Sequence, residues 1–430
     1  MSLIGLSFTS VEITLAITVI AVVLFLIGIN IFLVFGIWSI LFATFTNGFE
    51  YGTFSVAFFQ QMNSFPLAAI PPFIAVGVLL NYTAMSDDIV EFSKSIGGWL
   101  PGAVGNTSIV TSGIFSSISG SNPATTAAIG EAMLDDLIDD GYSPEFAAAT
   151  IAAGGTVGVI IPPSIMMILY GVTFNVSVTS LFLAGIIPGL AMVFSLIFVC
   201  SLLSFKASTN DGYTFDIKES ALAFWNIKNT IFTIVLLLGG IFSGIFTPSE
   251  SASIATAYII FSNSILGRMS IPDVLSSFRR SMELTGVILP LLVTAIMVQQ
   301  GLSFLGLQDA IGSAVAGLGS PILIIAALSI ILLITGMTLS SVPNMIITAP
   351  MLAPAANALG LSPVMWGVIF LMNDAIGFIT PPYGINLYVA SRISGIDYID
   401  IAKAALPYLF ALYSLWLLFL LFPEINILAN

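Results

Sequence analysis

The chain has 430 residues, 58% hydrophobic and 7% charged, with a net charge of −13, one cysteine and no histidine. A water-soluble domain carries about 25% charged residues, so lipid is this chain's principal solvent and membrane lipid its first partner. The acidic balance excludes nucleic acid as a partner, while the missing histidine and lone Cys200 exclude the usual zinc sites, Ser-His-Asp triads, histidine proton relays and a disulfide framework.

Crossing a bilayer takes about 20 apolar residues of helix. The N-terminus lacks a basic stretch and carries Glu12, so the first apolar run reads as a retained span rather than a cleaved signal. Runs at roughly 11–28, 29–46 and 64–84 predict three crossings, scaffold helices of a first unit over residues 1–205. Asp87, Asp88, Glu91 and Lys94 then mark an amphipathic interfacial arm over 86–99. Residues 103–138 are apolar but broken at Ser116-Ser117-Ile118-Ser119-Gly120-Ser121-Asn122-Pro123. Each half is too short to cross, which predicts a re-entrant hairpin. The acidic cluster Asp135, Asp136, Asp139, Asp140 and Glu145 reads as a solvated turn. A crossing at 144–177, broken at Pro162-Pro163, and another at 178–205 complete the unit.

A linker over 206–228 leads to a second unit, 229–430. Its crossings are predicted at 229–246, 248–267 and 284–303, within scaffold 229–303, followed by an arm at 307–319. A second hairpin spans 321–358, broken at Leu339-Ser340-Ser341-Val342-Pro343-Asn344. A crossing at 363–391 is broken at Pro381-Pro382, and a last span covers 403–424.

The two units repeat one pattern. Ser143-Pro144 precedes Pro162-Pro163 by the same spacing that separates Ser362-Pro363 from Pro381-Pro382 (162 − 144 and 381 − 363 both give 18). Ser119, Asn122 and Thr126 recur as Ser341, Asn344 and Thr348. Five crossings and one hairpin per repeat make the second copy inverted, an all-α architecture of secondary transporters with the site between the repeats. Charges offer an independent check. Lys94 follows the third crossing, Lys206, Lys218 and Lys228 the fifth, and Arg268, Arg279 and Arg280 the seventh; Arg392 and Lys403 end the ninth. All nine fall on one face, which the positive-inside rule makes cytoplasmic. Both termini are then periplasmic; the first hairpin enters from the cytoplasm and the second from the periplasm.

Proline lacks an N–H, so Pro162 and Pro163 free the carbonyls of Gly158 and Val159, and Pro381 and Pro382 those of Gly377 and Phe378. Opposite each break lies a hairpin tip rich in hydroxyls with an Asn. Such neutral oxygens suit a hard cation, and Na+ needs no titration. One predicted Na+ site comprises Ser119, Ser121, Asn122, Gly155, Gly158 and Pro162; the other, Ser340, Ser341, Asn344, Asp374, Gly377 and Pro381. No other metal and no organic cofactor is expected. Helix N-termini after Asn122-Pro123 and at Asn344 favour a carboxylate. The substrate candidates are therefore Ser119, Asn122, Thr125, Thr156, Ser341, Asn344, Asn373 and Thr380. A kink satisfied by neighbouring hydroxyls is the competing reading of the breaks. Asp374, in a nearly uncharged span, has three readings: Na+ ligand, proton carrier or backbone cap.

Ser119-Gly120-Ser121-Asn122-Pro123-Ala124-Thr125, Gly158-Val159-Ile160-Ile161-Pro162-Pro163-Ser164 and Asn373-Asp374-Ala375-Ile376-Gly377-Phe378-Ile379-Thr380-Pro381-Pro382 resemble the large membrane subunit of tripartite ATP-independent periplasmic (TRAP) transporters. The resemblance covers nearly the whole chain. It implies Na+-coupled uptake of an organic acid, such as sialic acid or a C4-dicarboxylate, across a bacterial inner membrane. It also implies a periplasmic substrate-binding protein and a small membrane subunit of about four helices, here expected as a separate chain because the sequence begins directly with the large-subunit pattern. The mechanism implied is an elevator, in which hairpins and broken helices move as one body against the scaffold. A stand-alone Na+/dicarboxylate symporter or a channel remains a rival reading. An enzyme lacks a recognisable nucleophile–base set, and a purely structural subunit leaves the duplicated irregular backbone unexplained.

Overall fold

The structure, a computed structural model, describes residues 10–46, 49–62, 65–81, 85–97, 102–204 and 217–429. Its regular elements are all helical. Helices α1 (Ser10–Leu26) and α2 (Ile31–Phe45) follow the first two predicted spans, with the Asn30 side chain accepting from the Phe32 N–H to cap α2. The next helix, α3 (Tyr51–Met62), has no predicted counterpart, because Thr53, Ser55, Gln60 and Gln61 dilute its hydropathy below that of a span. Buried Phe54 nevertheless packs on Phe49, ring centroids 4.8 Å apart. The third predicted span is a 3-10 turn (Phe65–Ala69) running into a short α4 (Ile70–Asn81), whose Pro71 and Pro72 sit in the first turn where missing N–H groups cost least.

The arm is α5 (Met85–Gly97); the first hairpin is α6 (Ala103–Ser119) and α7 (Asn122–Asp139), joined through Gly120 at φ +58°. Next come α8 (Pro144–Gly154), a 3-10 turn (Gly155–Val159), α9 (Ile165–Phe174) and α10 (Val178–Ser204). Lys206 and the rest of residues 206–216 of the predicted linker lie outside the described residues, as do the first nine residues and the last two residues of the predicted arm, Gly98 and Trp99. The rest of the linker is not extended chain but α11 (Ile217–Asn226), which packs on the arm: Phe224 meets Phe92 at 6.0 Å, and the Ser220 hydroxyl donates to the Ser95 carbonyl at 3.3 Å.

A bend of 62° separates α11 from the next crossing, α12 (Lys228–Ile234), a π-helical turn (Val235–Gly239) and α13 (Gly240–Phe242). Then follow α14 (Pro248–Ile265) and α15 (Ile271–Phe304), the latter starting well before the predicted span because Ser270 and Asp273 form a capping box. The second arm is α16 (Leu307–Ala316), the second hairpin α17 (Pro321–Gly336) and α18 (Ser341–Ala358), and the second broken crossing α19 (Pro363–Gly377) and α20 (Ile385–Ser394). The last helix is α21 (Tyr398–Leu421). By length and composition α10, α15 and α21 each suffice to cross a membrane unbroken, whereas α2, α17 and α19 are apolar but shorter.

Turns sort into two sets. Arg268 pairs with Asp88 at 2.8 Å and Lys94 with Asp136 at 3.0 Å, joining the arm, the first hairpin's base and the α14–α15 turn. Far along the chain from these, Phe49 meets Phe304 at 5.2 Å, Asn426 donates to the Ala184 carbonyl at 2.8 Å, and the turn at Asn175–Val178 shares a cavity of about 390 Å³ with Thr247–Ser249. Segments that the crossing count assigns to one side therefore meet one another. Both ion pairs are half exposed, and such pairs contribute roughly 0–1 kcal/mol each.

One large core joins residues of both halves, and a smaller one gathers Ile17, Val34, Trp38, Phe42, Phe54 and Val298 from α1–α3 and α15. Buried polar bonds cross between halves: Thr150 with the Tyr408 hydroxyl at 2.9 Å, and Asn386 Nδ2 to the Ala152 carbonyl at 3.0 Å. These bonds tie the first broken crossing to the second and to the last helix, while α6 and α7 pack on α8 and α17 and α18 pack on α19.

Candidate functional site

At the first break the chain turns from α8 through the 3-10 segment to the cis pair Pro162-Pro163. Ser143 caps α8 and Ser362 caps α19, so each Ser-Pro pair starts the helix that leads into a break. The hairpin tip comes directly against the first break. A Cβ at Gly158 would lie 2.8 Å from both the backbone nitrogen and Oδ1 of Asn122, and one at Gly120 would lie 3.2 Å from the Pro163 carbonyl oxygen. Gly155 sits against the Thr126 hydroxyl and the Asn122 carbonyl. Glycine is required there because the two backbones touch.

Most polar groups at this break bond one another. Asn122 Oδ1 accepts from the Val159 N–H at 2.9 Å, the Ser119 and Thr125 hydroxyls share a bond at 2.8 Å, and Thr126 donates to the Asn122 carbonyl at 3.0 Å. Thr156 donates to the Ala153 carbonyl at 2.7 Å. Ser119, Asn122, Gly155 and Gly158 thus lie together at the first break, but the Asn122 oxygen is already engaged in pinning tip to break. Ser121 precedes α7 without capping it, so N–H groups at that helix start stay open.

The second break, at the cis pair Pro381-Pro382, is built differently. The carbonyls expected to be freed there are occupied. Thr380 N–H bonds Gly377 O at 3.1 Å, and Asn386 N–H bonds Phe378 O at 3.0 Å. The chain curls back after the prolines, so N–H groups further along replace the missing ones. What stays open is on side chains. Ser340 Oγ, Ser341 Oγ, Asn344 Oδ1, Asn373 Oδ1 and Asp374 Oδ2 are buried without a hydrogen-bond partner among the described residues. Asn344 Nδ2 donates to Asp374 Oδ1 at 3.0 Å, which holds both side chains in place, and the Ser341 hydroxyl lies beside the same carboxylate without the geometry of a hydrogen bond, so one oxygen each of Asn344 and Asp374 is unbonded. Ser340 does not cap α18, so its first N–H groups are open too. Buried oxygens without donors are costly, and a cation satisfies several at once. Among the described residues no group of three or more His, Cys, Asp or Glu gathers, so the site offers one carboxylate among neutral oxygens. The first break packs against α19, so the two breaks are neighbours.

Two residues escape the sequence reading. Asn386, fully buried after the second break, ties the halves through Ala152 and keeps Oδ1 unpartnered. Tyr413 on α21 directs a buried, unpartnered hydroxyl to the side chains of Thr380 and Asn373. Asn386 carries a signal, an amide inside an apolar run shortly after the prolines; a single Tyr in an apolar helix carries none.

Residues 18–425 match the family described as "Tripartite ATP-independent periplasmic transporter, DctM component". The chain is similar to the C4-dicarboxylate TRAP transporter large permease protein DctM of Vibrio cholerae, 30% identical over 89% of this chain and 90% of that one. It is equally similar to the sialic acid TRAP transporter large permease protein SiaM of the same organism, 30% identical over 92% and 97%. The isethionate TRAP transporter permease protein DctMQ of Oleidesulfovibrio alaskensis is 33% identical over 81% of this chain, which spans 55% of that longer protein. In fold the chain resembles the Alcanivorax borkumensis YdaH transporter, at a TM-score of 0.61 and 15% identity over 97% of this chain and 98% of that one. Paired hairpins, paired proline breaks and a match over nearly the full length lead to one assignment: the chain belongs to the TRAP transporter family, as its DctM component, the large permease subunit.

Proposed function

We propose that this multi-pass inner-membrane subunit couples Na+ influx to uptake of a small organic acid. The observation that carries the reading is the set of five unpartnered side-chain oxygens at the second break, including Asp374 Oδ2. Na+ binds there among Ser340, Ser341, Asn344, Asn373 and Asp374, and a second Na+ at the first break, where the open groups are fewer. The substrate carboxylate lies near the uncapped starts of α7 and α18, whose N–H groups and dipoles favour negative charge. Relatives named for C4-dicarboxylate and sialic acid support an organic acid as cargo.

The hairpins and broken helices travel as one body, an elevator: a buried bond ties α20 to α8 across the halves, and the hairpin helices pack on the broken crossings. A small membrane subunit as a separate chain packs on apolar scaffold helices within residues 11–46 or 229–267. A periplasmic binding protein docks on the face bearing exposed Glu50, Asp309 and Glu424. The test is uptake into proteoliposomes containing both membrane subunits, with the binding protein supplied outside. Uptake should rise sigmoidally with Na+ and vanish when the binding protein is omitted. Undiminished uptake in Na+-free buffer would refute the coupling.

Orientation follows from the one-sided Lys and Arg residues, which make the face bearing Arg268 and Lys94 cytoplasmic and both termini periplasmic. Single cysteines replacing Lys218 and Arg280 should resist a membrane-impermeant thiol reagent in intact cells and react in inverted vesicles. Labelling of residue 218 from outside intact cells reverses the assignment.

A further inference from the structure

The last helix contributes a group that the proposed coupling leaves unused. Tyr398 near the start of α21 donates to the Pro382 carbonyl at 2.9 Å, and Trp416 further along donates to the Ile369 carbonyl at 2.9 Å. Helices α19 and α21 therefore run antiparallel. One turn back from Trp416 is Tyr413, and one turn on from Ile369 is Asn373, so the two side chains come level. The Tyr413 hydroxyl indeed lies beside both Asn373 and Thr380. Thr380 already spends its hydroxyl proton on the Ile376 carbonyl, at 2.9 Å. The Tyr413 hydroxyl and both polar atoms of Asn373 have no partner. Asn373 Oδ1 faces the second hairpin, where only the absence of a side chain at Gly336 leaves it room: a Cβ there would stand 3.2 Å away.

An amide in a cation site has a right and a wrong orientation. Its oxygen ligates, whereas its NH2 donors repel the ion. Thr380, with its proton committed, can only accept from Tyr413, and Tyr413, with its proton then committed, can only accept from Asn373. We infer that Tyr413 is a positioning residue for the second cation site: its hydroxyl, unbonded in this structure, closes a one-way chain from Asn373 Nδ2 through Tyr413 and Thr380 to the Ile376 carbonyl when the ion draws in the Asn373 oxygen. The chain turns the Asn373 carbonyl oxygen towards the ion. The first half has no such device, since Gly154 and Ile161 stand at the positions of Asn373 and Thr380 relative to the proline pair.

This inference rests on the Na+ reading of the second break, and its test separates the two. Na+-induced thermal stabilisation of the purified complex and Na+-dependent uptake are measured for the natural chain and for Tyr413→Phe, which removes one oxygen and keeps the ring. The expected result is a rise on the order of 10-fold in the Na+ concentration for half-maximal effect, the scale on which groups orienting a metal ligand act. The substrate concentration for half-maximal uptake at saturating Na+ should stay unchanged, as should the melting temperature without Na+. Tyr413→Phe combined with Thr380→Val should bind Na+ no more weakly than Tyr413→Phe alone, because either change breaks the same chain. A natural chain that responds to Na+ beside a Tyr413→Phe variant with the same Na+ dependence overturns the inference and spares the coupling. A natural chain indifferent to Na+ overturns both.

Discussion

Asp374→Ala is expected to cut Na+-driven uptake by about 100-fold or more, while Asn122→Ala acts mainly on the fold. The difference follows from what each side chain does in the structure. Asp374 is 2% exposed, holds Asn344 through one oxygen and leaves the other without a partner. Removing it deletes the one charge in the oxygen cluster, and losing a charged ligand costs roughly 3 kcal/mol, two decades in binding. Asp374→Asn keeps the shape and one oxygen, so it should fold normally and still bind Na+ far more weakly. Asn122 Oδ1 instead accepts from Val159 N–H, and its loss leaves that buried donor unpaired. The expected consequence is a loss of about 1–3 kcal/mol of stability with a comparatively small change in the Na+ concentration for half-maximal uptake. Melting temperatures beside Na+ titrations of uptake distinguish the cases. Equal Na+ dependence in Asp374→Ala and the natural chain would remove this carboxylate from the coupling site.

That asymmetry between the breaks marks where sequence reasoning stops. The paired Ser-Pro and Pro-Pro motifs and the hydroxyl-rich tips located both breaks, since proline and glycine act locally on the backbone, whatever surrounds them. Apolar run length located the hairpins for the same reason. Whether the carbonyls of Gly377 and Phe378 stay open depends instead on where the chain goes next, and Thr380 and Asn386 reach them only after it has curled back. Likewise Tyr413 matters through a helix register fixed by Trp416 and Ile369, which lie 47 positions apart. Helix α3 escaped because its apolar face is too narrow to resemble a span, although Phe54 is as buried as residues of true crossings. The scaffold's hydropathy speaks for its lipid-facing surface; the site's side chains take their meaning from partners distant in sequence.

Gly377→Ala should cut uptake by at least about 10-fold through steric contact alone, without touching a ligand. A Cβ at Gly377 would overlap the Gly336 carbonyl oxygen and lie 2.8 Å from the Gly336 carbonyl carbon. Both groups are backbone, so no side-chain rotation relieves the overlap, and α17 must move off α19. That displacement separates the end of α17 from Asn373, whose Oδ1 faces Gly336, and opens the second hairpin's tip over the cluster at Asn344 and Asp374. Overpacking a tight contact costs typically 1–3 kcal/mol, enough to strain this end of the bundle without unfolding a chain whose main core spans both halves. Uptake should fall by at least about 10-fold, one decade for each 1.4 kcal/mol of closure energy lost. A cysteine at Thr338, beside the tip, should become more reactive to thiol reagents. Gly286→Ala is the matched control: it lies within α15, and a Cβ there meets nothing within 4 Å. Helix propensity predicts that this change is neutral or stabilising by up to about 1 kcal/mol. Full uptake by Gly377→Ala would show that α17 does not have to close against α19, and the second site would then have to form without the contact that brings Asn373 to the hairpin.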